Sequence, residues 1–174
     1  MTADDLPGRP AYLALLPEFL FRTDELKSRY LLKAWVLALL PSLVLGALVA
    51  AFLPDAGQPD FQPEKVGLPY LVFLLVVVSP LIETLVLAPL VLVLNRFFGA
   101  GPAVVLSALL WGAAHSLEAT AWGLVIWWPF LIMSIVLLTW RETGLWTAIG
   151  MVVGIHMLQN AFGAVLLLTS GAGH

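Results

Sequence analysis

The chain has 174 residues, 61% of them hydrophobic and 11% charged, with a formal net charge of −3 and no cysteine. Soluble domains carry about 25% charged residues, so these values, with a mean hydropathy of +0.99, exclude an ordinary water-soluble domain. They also exclude disulfides, thiol nucleophiles and thiolate metal sites, and the scattered basic residues give no footing for nucleic acid.

Residues 1–30 are polar to amphipathic. Residues 11–30 mix Leu and Phe with charges around Pro17, which suits either an interfacial amphipathic helix or a partly ordered tail. This stretch lacks the pattern of a cleaved signal peptide, so the first span is expected to serve as its own insertion signal. A span needs about 20 apolar residues, and residues 31–53 supply the first, with Lys33 near its start and Pro41 inside. Residues 54–66, with Asp55, Asp60, Glu64, Lys65 and three prolines, read as a loop.

Residues 68–98 form a second apolar stretch, about 46 Å long as a helix against a hydrocarbon core of about 30 Å, so it must tilt, kink or protrude. The pattern breaks at 95–101, and Pro102 starts a third helix running to about 117. A fourth is expected over 119–140 and a fifth over 145–169, joined by the polar turn Arg141-Glu142-Thr143-Gly144. Lys and Arg alternate sides in register with five spans, which puts the amino terminus in the cytoplasm and the carboxy terminus outside. The expectation is an all-α polytopic membrane bundle of about five transmembrane helices, with four to six compatible. Residues 1–30 form a cytoplasmic segment and 31–174 the bundle. No internal repeat supports a transporter built from matched halves.

Glu83 is the sole charged residue between 66 and 95, His115 the sole titratable group between 97 and 117, and His156 the only one from 143 to 172, with none from 119 to 140. Ionisable groups in hydrocarbon cost several kcal/mol, about 2.5–3.5 for a central Asp, and mark function. Glu83 and His156 lie at similar depth and His115 nearer the outer surface. Asn160 shares a helix face with His156, and Trp111 with His115. Pro80 and Pro89 bracket Glu83 and would free the carbonyls of Val76 and Leu85, which must then find protein or water donors.

Glu, two His and Asn suffice for attack of water on an amide: a carboxylate as general base, an imidazole to hold the water, and N–H donors for a developing oxyanion. Glu83, His115 and His156 equally make a two-His, one-Glu zinc set with an open position. Taken singly, these residues have plainer readings as interhelical hydrogen-bonding or packing groups. Glu118 reads as a solvated helix-end charge. Trp122, Trp127, Trp128, Trp140 and Trp146 read as belt and packing residues, with Trp127 and Trp128 too central for a belt. Gly150 and Gly154 read as a close-packing pair.

The order Ser79-Pro80-Leu81-Ile82-Glu83, then Trp111-Gly112-Ala113-Ala114-His115, then His156-Met157-Leu158-Gln159-Asn160 resembles the CPBP family of intramembrane proteases (CAAX protease and bacteriocin-processing, Abi), over about residues 70–165. The family pattern is Glu-Glu with Arg four residues after the second Glu, then Phe-x-x-x-His, then His-x-x-x-Asn. The resemblance implies a membrane-embedded helical bundle in which Glu83 activates the hydrolytic water, His115 shares it, and His156 with Asn160 binds the oxyanion. This chain has Thr84 in place of the second Glu, Ala88 in place of the Arg and Trp111 in place of the Phe. Many members are described as metalloproteases, although a metal-free glutamate mechanism is favoured for some, so Zn2+ is an optional cofactor.

The expected function is therefore an intramembrane endopeptidase acting on a membrane-embedded or lipidated substrate in a prokaryotic plasma membrane. The alternatives are a catalytically inactive membrane partner (bacteriocin immunity or scaffold) and a proton-coupled transporter.

Overall fold

The structure, a computed structural model, describes residues 13, 15–56, 59, 65 and 67–169. Five long helices and no strand lie among them: α1 (Lys27–Phe52), α2 (Leu68–Phe98), α3 (Ala100–Ser116), α4 (Gly123–Trp140) and α5 (Leu145–Thr169). Four of them, α1, α2, α4 with its 3-10 extension to Thr143, and α5, are long and apolar enough to cross a membrane. With 17 residues, α3 is shorter, about 26 Å, the low end of a spanning length. The architecture is a membrane helical bundle. Gly99, at φ 80, reverses the chain between α2 and α3 in a single residue, a backbone conformation open to glycine without a Cβ penalty.

The centre of the bundle is α4. Every residue from Pro129 to Trp140 is buried, and the helix packs against α1, α3 and α5 and also touches α2. A helix apolar on all sides is either a core element or a membrane span, and α4 is here the most buried of the helices. Trp140, only 2% exposed, is a core residue with its ring edge-on to Tyr30 at 5.1 Å, which corrects the belt reading. Trp146 is exposed and Trp128 donates from Nε1 to the Leu37 carbonyl at 2.9 Å. The fourth helix begins at Gly123 instead of 119, because residues 119–122 form a turn.

Residues 11, 12 and 14 of the expected amphipathic segment, and 57, 58, 60–64 and 66 of the first loop, lie outside the described residues. The rest of the segment is a 3-10 turn, Glu18–Phe21, followed by extended chain up to α1. It is tied to the bundle by the Leu20 carbonyl, which accepts from Tyr30 Oη at 2.7 Å and Thr139 Oγ1 at 3.0 Å, while Leu13, Leu20 and Phe21 are buried.

Close glycine contacts set two helix pairs. A methyl on Gly154 would meet Leu31 Cδ1 at 2.7 Å, so α5 and α1 touch there, whereas Gly150 has nothing within 4 Å. Only Gly154 of the expected pair is a packing point. The second contact is the crossing of α3 and α4: a methyl on Gly123 would fall on the Gly112 carbonyl oxygen and Ser116 Oγ. Ser134 Oγ also donates to Ser107 Oγ at 3.2 Å across this interface, the kind of polar contact that joins helices in lipid.

Candidate functional site

The middle of α2 is not a plain α-helix. Leu74–Val78 is a π-turn in which the Ser79 N–H reaches back to the Leu74 carbonyl, one residue further than the α pattern. That shift takes the Ser79 donor away from the Leu75 carbonyl, and the next residue, Pro80, has no N–H to give. The Leu75 carbonyl is thus left without a helical donor, in addition to the Val76 carbonyl expected from counting back from Pro80. Asn160 of α5 fills the gap, donating from Nδ2 to the Leu75 carbonyl at 2.9 Å. At Pro89 the helix runs on unbroken to Phe98.

One turn past the π-turn stands Glu83. Ser79 Oγ donates to its Oε1 in a short hydrogen bond. Its other oxygen, Oε2, is buried without a hydrogen bond from the protein and faces two imidazoles: His115 Nε2 at 3.9 Å and His156 Nε2 at 3.6 Å. Both distances exceed a direct hydrogen bond. The side chains of Glu83, His115 and His156 are 21%, 14% and 5% exposed.

The tautomer of His115 follows from its other contact. Its Nδ1 lies 2.8 Å from the Trp111 carbonyl, which only accepts, so neutral His115 donates from Nδ1 and turns the Nε2 lone pair toward Glu83. Aromatic rings hold the imidazole in place: Trp122 edge-on at 4.8 Å and Phe130 at 5.3 Å, the latter stacked on Trp111 at 4.5 Å. The Gly112–Gly123 contact sets the α3 backbone close enough to α4 for this packing.

Glu83, His115, His156 and Asn160, the four residues singled out from the sequence, therefore line one cavity of about 270 Å³. Ser79, Trp122, Phe130 and Gln159 line it too. Of these, Ser79 carries a sequence signal, one helical turn before Glu83 and on its face, while Phe130 carries none because it sits in an unbroken apolar run. Trp122, read above as a belt or packing residue, is part of the wall. Glu118 is exposed and is not among the lining residues. A larger cleft of about 530 Å³, lined by residues such as Leu37, Ala108, Trp127 and Leu131, has no ionisable group, so the chemistry lies in the smaller one.

Asn160 lines the cavity but spends one N–H on Leu75, leaving its second for a ligand. Replacing Asn160 with alanine leaves the half-buried Leu75 carbonyl without a donor. The expected cost is about 1–3 kcal/mol, measured by unfolding in detergent micelles; a loss below about 0.5 kcal/mol would show that the bond does not hold the π-turn.

Glu83, His115 and His156 are ligand types that zinc accepts. Among the described residues, no group of three or more His, Asp or Glu is disposed as a metal-holding cluster. Comparison of the chain with known protein families, with characterised proteins and with solved structures finds no match.

Proposed function

We propose that the protein is an intramembrane endopeptidase of the CPBP type, with residues 70–165 as its core. The observation that carries this reading is the convergence of Glu83, His115 and His156, from three different helices, on one unpartnered carboxylate oxygen inside a cavity.

In this mechanism the three groups hold a water molecule. Glu83 Oε2 accepts its proton as the water oxygen attacks the substrate carbonyl carbon, and the His115 Nε2 lone pair keeps the second water hydrogen oriented. His156 and the second N–H of Asn160 donate to the developing oxyanion, contacts worth a few kcal/mol in related chemistry, about 2.7–4 for one such donor. Glu83 then passes its proton to the leaving nitrogen, the C–N bond breaks, and an amine leaves together with a carboxylic acid that still carries the second water hydrogen. Ser79 fixes Oε1 and so keeps Oε2 directed at the imidazoles.

Two of the three departures from the family pattern, Thr84 and Ala88, fall outside this machinery. Both are buried, 0% and 4% exposed, and neither lines the cavity. Their substitution leaves the water-holding groups intact, which supports activity over a non-catalytic scaffold.

The test is cleavage of a single-span substrate by the purified protein in proteoliposomes, with and without a chelator, with His156→Ala as control. Cleavage by the wild type that is lost in His156→Ala and indifferent to chelation is the expected result. Loss on chelation restored by zinc would move the chemistry to a metal, and unchanged cleavage by His156→Ala would overturn its assigned role.

A further inference from the structure

Charge around Glu83 restricts what can be placed beside it. Among the described residues, the cavity wall contains one carboxylate and two imidazoles but no lysine or arginine. The described basic residues, such as Lys27, Lys33, Arg96 and Arg141, lie in the terminal turns of helices or between them. Ala88, at the position of the family Arg, brings no cation either. Glu83 stands at the midpoint of the 31-residue α2, about 22 Å along the helix from either end.

A substrate cut a few residues from its own C-terminus would bring its carboxylate into this space. There it would meet the Glu83 carboxylate, no counter-ion and little water, a combination that disfavours the charged form strongly. An internal peptide bond brings no such charge. The remaining wall suits apolar neighbours: Leu75, Ile126, Met133, Ala164 and Leu167 line it, and Gly163 has open space where a Cβ would be.

Size adds a second restriction. A cavity of about 270 Å³ does not admit an intact helix, which is about 10–12 Å across with its side chains. The scissile stretch must enter unwound, and its backbone then needs polar partners. Gln159 Oε1 and His156 Nδ1 are both buried without a hydrogen bond from the protein and lie on residues that line the cavity.

On the peptidase reading above, we propose that the substrate is an internal, uncharged stretch of a membrane-spanning segment that enters locally unwound, and not the last few residues of a chain with a free C-terminal carboxylate. Three peptides sharing one apolar segment of about 20 residues test it in proteoliposomes of the full chain. The first continues into a polar domain beyond the cut bond, the second ends shortly after it as a free acid, and the third ends at the same place as an amide.

The first and third are expected to be cut at comparable rates and the second at least about tenfold more slowly, given like charges a few ångströms apart. Equal cutting of the acid and the amide, lost in Glu83→Gln, would keep the peptidase reading and overturn this substrate class. Cutting of none of the three by the wild type would overturn the peptidase reading, and this proposal with it.

Discussion

On the proposed peptidase reading, replacing Glu83 with glutamine is expected to lower the rate of peptide cleavage by about 10²–10⁴-fold, the span that general acid–base groups contribute, while the bundle stays folded. Glutamine has nearly the same shape, and its carbonyl oxygen can still accept from Ser79 Oγ. What disappears is the proton acceptor between His115 and His156. Among the described residues no lysine or arginine lines the cavity, so neutralising the acid breaks no ion pair with a permanent cation there. Turnover in proteoliposomes, paired with thermal unfolding in detergent, separates the two quantities. A rate within a few-fold of the wild type would remove Glu83 as the base.

Gly123→Ala is expected to be the most disruptive small substitution, costing about 1–3 kcal/mol through overpacking. The added methyl falls on backbone, the Gly112 carbonyl oxygen, and on Ser116 Oγ, neither of which is the far end of a flexible side chain. Relief requires α3 to move from α4, which draws His115 off Trp122 and Phe130 and away from Glu83. Stability and cleavage should therefore fall together. Gly112→Ala is milder, because its methyl meets the Gly123 carbonyl oxygen at 3.1 Å and Trp127 Cβ at 3.2 Å. A Gly123→Ala protein as stable as the wild type would show that the crossing is looser than described.

The spans were readable in the chain because charged residues, glycine and proline punctuate long apolar runs. The second and fifth helices accordingly begin and end where that punctuation puts them. The central place of α4 was not readable. Lipid and protein core are both apolar, so a helix buried on all sides and one facing lipid carry the same residue types. Trp140 shows the consequence, since a tryptophan at a helix end suits an interfacial belt equally well.

The site was visible through the rarity of its ionisable groups, and Glu83, His115, His156 and Asn160 do share a cavity. The bond from Asn160 to Leu75 was hidden. It depends on a π-turn upstream of Pro80, and a proline alone does not fix whether the ladder loses a bond or shifts by one residue. Phe130 was hidden for a different reason. A ring that holds a histidine in place and a ring that fills a core are the same residue in the same kind of run.

The account rests on Glu83 and His156 acting on one water as a unit, and a double substitution addresses this most directly. Groups that work as a unit are strongly non-additive when removed. The measurement is the cleavage rate of Glu83→Gln, His156→Ala and the combined variant on one substrate in proteoliposomes. The predicted result is a double variant slower than Glu83→Gln by no more than about tenfold. A double variant whose loss equals the product of the two single losses would contradict the account, because it would mean that the carboxylate and the imidazole act independently.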